Sequence, residues 1–321
     1  PTHNRCMDLK EAIIAIKNQT ISNFELIVVD NGPSEDGTDS LMKEMKENDK
    51  RIIYIRTKEK GDSIAKNIGC KKAGTDIIVV MDDDYELTDK KSLEYIIDRY
   101  KREIDLGILG IGTDYEKDKK RDGLKGLYYK LARVIHRPGR VTRWGRVSTR
   151  NYYLPSGRSY DVSHVKGACM AIRKDLAEKC GYYTTFYTHE GIAYRSETEL
   201  CRRVASKGYR VVYTNEITGV HKAAPRPKGL QSRERNIKEM WLWSRNNAIF
   251  TCRMYWSKNT AKIFFAYDVI LGNFNQPGLL RMLFSRRYFL KATMVKESVK
   301  GKIDGYKEYM GKYHDLSIME K

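Results

Sequence analysis

Hydrophobic positions in the first hundred residues fall into two kinds of run. Phe24 to Val29 and Ile77 to Met81 are almost continuous, rich in β-branched residues, and each stops at an acid, Asp30 and Asp82. Apolar runs of this length read as buried strands, and Arg51 to Ile55 is a shorter one. Between them apolar residues recur at helical spacing, over Leu9 to Ile16, Asp39 to Met45 and Asp62 to Ala73, the last followed by Gly74 as a C-cap. Strands alternating with helices predict βαβ units, hence an α/β fold with a mixed, mostly parallel sheet flanked by helices. No strand precedes the first helix, which starts near residue 8, so a natural protein longer than this sequence is expected.

Beyond residue 112 the pattern changes. Residues 113–165 are rich in Lys, Arg, Gly and Tyr with weak periodicity, predicting a helix over 122–136 and then a long loop. A strand at 165–172, a helix from Lys174, a helix over 196–207 stopped by Gly208, and a strand at 209–213 come next. From Gln231 the pattern is helical, with a break at 272–278.

The run that ends at Asp82 continues into Asp83 and Asp84. Three carboxylates at the mouth of a buried strand repel one another unless a cation sits among them; otherwise they form a solvated acidic turn. Hard divalent cations take oxygen ligands, and Mg²⁺ is commonly held by carboxylates together with substrate phosphates. Open α/β sheets bind ligands at the carboxyl ends of their strands.

Composition narrows the partners. The 321 residues carry 60 Lys and Arg against 41 Asp and Glu, a net charge of +19, with the excess in 117–173 and 222–302. That charge favours nucleic acid, anionic lipid or phosphorylated small molecules. The six cysteines (Cys6, Cys70, Cys169, Cys180, Cys201 and Cys252) form no CxxC pair or zinc spacing, and read as reduced, buried thiols of a cytoplasmic protein. The most apolar late segment, Ile263 to Leu271, is too short to span a bilayer.

Four features stand in order along the chain: Pro1-Thr2-His3-Asn4-Arg5; Val28-Val29-Asp30-Asn31-Gly32; Gly61-Asp62-Ser63-Ile64-Ala65-Lys66-Asn67 leading to Asp82-Asp83-Asp84; and Gly167 to Arg173 followed by Ser196-Glu197-Thr198-Glu199 and Val220-His221. This set resembles the family 2 glycosyltransferases of the GT-A fold over residues 1–225. The resemblance implies a catalytic domain at 1–225, with a nucleotide-sugar-binding half at 1–112 and an acceptor-binding half at 113–225, and a helical region at 226–321. It implies an inverting enzyme that takes a sugar from a nucleotide sugar (UDP foremost, GDP or dTDP as others) to a glycan or lipid-linked acceptor, with Mn²⁺ or Mg²⁺ as cofactor.

The resemblance also implies roles for single residues. Pro1, Thr2, Arg5, Asp30, Gly61, Lys66, Asp82 and Asp83 would bind the nucleotide sugar, Asp30 through the base. Asp84, Asp82 and His221 would hold the metal; a turn after the strand would let Asp84 reach it and Asp82 reach ribose or a metal-bound water. Lys66 stands where the family usually has Arg, and reads equally as a phosphate contact or as part of a solvated helix face. Glu197 is the candidate general base. The family's acid-acid-x-acid pattern is broken here by Ser196, so Glu199 stays open as the alternative, or as an ion-pair partner of Arg202 or Arg203.

Two rival classes are nucleotidyltransferases, whose Gly-rich phosphate loop is missing, and nucleic-acid-binding proteins, for which no recognition motif is present and no specific nucleic acid is expected. In the last third, apolar and aromatic residues (Met240 to Trp243, Phe250, Tyr255-Trp256, Phe264-Phe265 and 279–290) alternate with Arg and Lys. Residues 240–300 therefore read in two ways, as helices at an anionic membrane surface on its cytoplasmic face or as helices packed on protein.

Overall fold

The computed structural model describes residues 1–114, 139–147, 157–189, 192–222, 232–257, 259–273, 276–281 and 292–314. The chain divides into two compact units, Pro1–Arg140 with Ser148–Pro225, and Val141–Val147 with Arg226–Lys321. The helix expected over 122–136 and the apolar-basic stretch 282–291 lie outside the described residues.

In the first unit β1 (Leu26–Asn31) pairs in parallel with β2 (Ile52–Thr57), and Thr2 adds a parallel bridge to Asp30. Helices α1 (Cys6–Lys17), α2 (Thr38–Asn48) and α3 (Asp62–Lys72) belong to this part. Leu9 and Ile13 of α1 and Met42 of α2 pack with Val28 and Ile52. The main sheet has the order β3 (Ile77–Met81), β7 (Cys169–Arg173), β5 (Leu106–Asp114), β10 (Arg210–His221), β4 (Tyr85–Leu87), with β6 (Ser159–Asp161) also on β10. A small hairpin joins β8 (Thr188–His189) to β9 (Ile192–Ala193).

The main sheet is more mixed than the alternating pattern predicts. β5 and β10 are parallel, but β7 runs antiparallel to both β3 and β5 and separates them. Period-2 alternation then sorts the core. Ile108, Met170, Ile172 and Val211 share one cluster with Leu176 of α5 (Lys174–Lys179) and with Leu200 and Val204 of α6 (Ser196–Ser206). Leu109, Ile111, Ala171 and Val212 share the other with Ile96 and Tyr100 of α4 (Ser92–Arg102). Each large apolar side chain so buried contributes about 1.5–3 kcal/mol.

Three local expectations shift. Val165 to Ala168 precedes β7 rather than belonging to it. α3 ends at Lys72 with an extended Ala73, and the Gly74 amide donates to Glu25 instead of capping the helix. β10 runs eight residues past the expected end at Tyr213, because its pairing with β5 shifts register between Thr214 and Thr218 and then resumes to Val220, while β4 pairs with it through His221. A bulge of this kind bends a strand and re-aims the residues beyond it.

The second unit is helical: α7 (Ser232–Tyr255), α8 (Ala261–Ile270) and α9 (Ala292–Glu308). Gly301 and Gly305 let α9 approach α7 backbone to backbone; a Cβ on either would strike the carbonyl of Trp241 or of Arg245. Ser244 and Ser298 hydrogen-bond across this contact, and Arg245 pairs with Glu308. Met240, Leu242, Phe250 and Phe264, expected as membrane contacts, are instead buried here. Their packing, not exposure, explains why they are apolar. Lys302 is fully buried, with Nζ 3.1 Å from Asp268 Oδ1 and donating to the carbonyls of Asp268, Gln276 and Pro277.

Removing one member of a buried pair leaves an uncompensated charge and typically costs ~3–5 kcal/mol. Lys302→Ala is therefore expected to destabilise the second unit by about that amount, and Lys302→Met with Asp268→Leu to recover most of it. All four tryptophans of the chain (Trp144, Trp241, Trp243 and Trp256) lie in this unit, so urea unfolding followed by tryptophan fluorescence reads it directly.

Candidate active site

The site is built where β3 gives out. After Met81 the chain turns: the Asp82 amide donates to the Ala168 carbonyl and the Tyr85 amide to the Asp82 carbonyl. Asp82 and Asp84, two residues apart, lie on the same side, and the turn draws their carboxylates together. β10 brings His221 opposite Tyr85 on β4. His221 Nε2 lies 3.0 Å from Asp84 Oδ1 and 3.9 Å from Asp82 Oδ2. One ligand atom from each of Asp82, Asp84 and His221 lies within 4.8 Å of the others. Two carboxylates and an imidazole at that separation suit a divalent cation of the Mg²⁺ and Mn²⁺ kind.

Cations of the protein surround these acids. Arg5 Nη1 lies 2.9 Å from Asp83 Oδ1 and 3.2 Å from Asp84 Oδ2. Burial disfavours the His221 imidazolium, but the hydrogen bond and charge of Asp84 outweigh it and its pKa is raised. Burial pushes the Asp82 carboxyl up to about 6, against the pull of Lys66.

Lys66 is the centre of the network. It is 5% exposed, which rules out the solvated helix face. Its ammonium lies 2.8 Å from Asp62 Oδ2, 3.1 Å from Glu197 Oε1 and 3.9 Å from Asp82 Oδ1. Burial works against its charge, yet Asp62 and Glu197 raise its pKa well above the ordinary value. Asp62 is not among the expected site residues; the signal available is its place one helical turn before Lys66, the i,i+4 acid–base spacing.

Glu197 and Glu199 both lie in the first turn of α6, and their surroundings separate them. Glu197 is half-buried; besides Lys66 it meets the Ser196 hydroxyl at 3.2 Å. Gly167 leaves room for it, since a Cβ there would stand 2.6 Å from Glu197 Oε1. Burial alone would raise the Glu197 pKa, but Lys66 and hydrogen bonds lower it overall. Glu199 is 1% exposed and takes hydrogen bonds from Thr184 and Tyr187, one on each oxygen, with Arg203 Nε 3.9 Å away. Its carboxylate is committed to the protein interior.

The residues expected on the nucleotide side gather around β1. Thr2 is buried and exchanges backbone hydrogen bonds with Val29 and Asn31, while Pro1 is half-buried. The Gly61 amide donates to Asn31 Oδ1 at 2.6 Å. Asp30 is completely buried and accepts from the Ser34 amide and hydroxyl and from the Tyr54 hydroxyl, with Arg56 Nε 3.5 Å away. The structure thus draws Arg5, Lys66, Asp82, Asp83, Asp84, Glu197 and His221 into one network. Thr2 and Asp30 form a second group beside it, joined by their backbone bridge.

Comparison with known proteins places this geometry. The family described as Glycosyl transferase family 2 matches residues 1–181. The chain is similar to an uncharacterized glycosyltransferase of Rickettsia bellii, 39% identical over 84 residues, covering 26% of this chain and 12% of that protein. It is also similar to the GalNAc(5)-diNAcBac-PP-undecaprenol beta-1,3-glucosyltransferase of Campylobacter jejuni, 36% identical over 89 residues, covering 27% of this chain and 28% of that protein. The matched part thus spans less than a third of either relative. Among solved structures, the mannosyltransferase PcManGT from Pyrobaculum calidifontis in complex with GDP-Man and Mn²⁺ superposes with a TM-score of 0.56 at 17% identity, over 95% of this chain and 85% of that one. S. aureus TarS in complex with UDP-GlcNAc gives 0.54 at 14%, over 99% and 90%. With the family matched across more than half of this chain and the GT-A fold shared, the chain belongs to glycosyl transferase family 2.

Proposed function

We propose that the chain is an inverting, metal-dependent glycosyltransferase that moves a sugar from a nucleoside diphosphate sugar to a hydroxyl of a glycan or lipid-linked acceptor. The observation that carries this is the Lys66 junction, which ties a prospective base, Glu197, to Asp82 of the prospective metal set. The solved neighbours bind GDP-Man or UDP-GlcNAc, and the C. jejuni relative is named for a polyprenol-linked acceptor. We take a UDP sugar as the foremost donor, with GDP and dTDP sugars as the others. The described cysteines are all free, in keeping with a reducing, cytoplasmic setting. No described helix is long and apolar enough to cross a membrane.

In this mechanism Asp82, Asp84 and His221 would hold a divalent metal, whose charge would offset that building on the departing diphosphate. Arg5 steadies Asp83 and Asp84 from the far side. Glu197, kept ionised by Lys66, accepts the proton of the acceptor hydroxyl as that oxygen attacks the anomeric carbon. A single displacement from the face opposite the leaving group inverts that carbon. Both Asp30 oxygens already accept hydrogen bonds, Oδ1 from the Ser34 hydroxyl and Oδ2 from the Ser34 amide and the Tyr54 hydroxyl, so a base contact by Asp30 would use the remaining lone pair of Oδ1. Glu199, with both oxygens engaged, serves as a scaffold for Thr184 and Tyr187.

Asp84→Ala is expected to abolish Mn²⁺ binding, followed by electron paramagnetic resonance, and metal-dependent donor hydrolysis, with circular dichroism unchanged. Full activity in excess EDTA would refute metal dependence.

Glu197→Gln should retain donor binding, seen as a raised melting temperature with UDP sugar and metal, and lose ~10²–10⁴-fold in transfer. The wild-type product should show an inverted anomeric centre by NMR. Near wild-type transfer by Glu197→Gln, or a retained anomer, would overturn the assignment.

Lys66→Met removes the charge that holds the Glu197 pKa down, so the acid limb of kcat/KM should move to higher pH; Lys66→Arg should hold it near its wild-type position. An acid limb unmoved in Lys66→Met would detach Lys66 from the base.

A further inference from the structure

Six large apolar side chains of the second unit stand between 38% and 63% exposed: Trp144, Ile263, Ile270, Leu271, Leu279 and Leu280. They are gathered, not scattered. α8 turns Ala261, Phe264 and Asp268 inward, which leaves Ile263, Ala266 and Ile270 in one outward stripe at i, i+3 and i+7. Leu271 is the next residue along. The Leu279 and Leu280 amides donate to the Val269 and Ile270 carbonyls, which lays these two leucines along the end of the stripe. At its other flank Trp144 packs on Tyr267, with ring centroids 4.1 Å apart. Trp144 is held there by a short loop, bridged at Val141 and Val147 and tied by the Trp256 indole to the Arg143 carbonyl.

The charges around this face are basic but for Asp304, which lines a groove with Leu279, Lys296 and Lys300 and accepts from the Trp241 indole. Arg143 and Arg146 flank Trp144, Lys262 precedes Ile263, and Arg281 comes after Leu280. The acid in these segments, Asp268, is buried against Lys302. Across residues 226–321 there are nineteen Lys and Arg against eight Asp and Glu. A second copy joined through this face by a two-fold axis would bring the four basic residues against their own images, which is unfavourable. An anionic bilayer answers both features: apolar side chains enter the boundary below the headgroups, an interfacial tryptophan sits at that level, and basic residues meet lipid phosphates.

We propose that this face of the second unit rests on the surface of an anionic lipid bilayer. The inference gives a lipid-linked acceptor its setting and rests on the proposed function for that purpose. It also moves the contact away from the apolar residues of α7, which are core, to the outer side of α8, the 279–281 turn and the Trp144 loop.

The test is co-sedimentation of the full chain with phosphatidylcholine vesicles containing phosphatidylglycerol, beside vesicles of phosphatidylcholine alone. Binding should require the anionic lipid and weaken as salt rises. Ile263→Glu with Leu280→Glu should lower the partition coefficient at least about tenfold, from the apolar area withdrawn. Arg143→Gln with Lys262→Gln should flatten the salt dependence. Brominated lipid should quench tryptophan emission in the wild type and less so in Trp144→Phe. Metal-dependent hydrolysis of UDP sugars in lipid-free buffer should be unchanged in all these variants, which controls for folding. Absent vesicle binding, or binding indifferent to the two Glu substitutions, would overturn the inference while the hydrolysis stands. Concentration-dependent self-association of the wild type, abolished by the same Glu substitutions, would instead assign the face to a second copy. Vesicle binding without any sugar-nucleotide hydrolysis would leave the surface intact and remove the proposed reaction.

Discussion

The buried ammonium of Lys66 is the constraint on which the rest of the site depends. Five carboxylates, those of Asp62, Asp82, Asp83, Asp84 and Glu197, gather where β3, α3 and α6 end or begin, and the protein answers them with Lys66, Arg5 and His221. Two like charges 4 Å apart near a protein surface repel by about 4 kcal/mol at an effective dielectric of 20. Without its cations this arrangement would oppose folding. With them it remains short of positive charge, since even an imidazolium at His221 leaves five acids against three cations. That deficit is what a divalent ion can fill, and it lies at the Asp82, Asp84 and His221 end.

The backbone makes the deficit local. A strand that continued straight after Met81 would keep Asp82 and Asp84 on one face but hold them about 7 Å apart. The turn that closes through the Ala168 carbonyl keeps them together, and the register shift in β10 brings His221 to the same place from 137 residues away. The bulge thus sets the residue at this position: a regular β10 paired throughout with β5 would deliver a different one beside Asp84.

Much of this is legible from residue order, and the parts that are not have identifiable physical causes. The strand running into the acid triplet, the α3 helix and the first turn of α6 follow from periodicity and local chemistry, so the order of elements through residue 84 can be read directly. The mixed direction of the main sheet cannot, because β7 is inserted between β3 and β5 from some sixty residues beyond β5, and nothing local in either strand announces it. Nor can the choice between Glu197 and Glu199. Both are acids in one helical turn, and only the hydroxyls of Thr184 and Tyr187, supplied by a separate segment, take Glu199 out of contention. Asp30 reads as open to a ligand because it ends a strand; the Ser34 and Tyr54 side chains that occupy it come from a turn and a neighbouring strand. The α7 aromatics look interfacial in sequence for a similar reason. An amphipathic pattern gives the apolar face of a helix but not what covers it, and here the cover is α9, admitted by Gly301 and Gly305.

The two departures from the family pattern make sense together. An arginine at position 66 would present a planar fork suited to paired oxygens of one partner, whereas a lysine presents a compact charge with three donors that can be shared among carboxylates from different elements. Lys66 does the latter, reaching Asp62, Asp82 and Glu197 from one buried point. A second acid at position 196 would add negative charge beside a carboxylate that already shares this single ammonium with two others. Ser196 supplies a neutral donor to Glu197 instead. The substitution at 196 thus relieves a demand that a lone lysine could not meet, and the lysine at 66 is sufficient because that demand is absent.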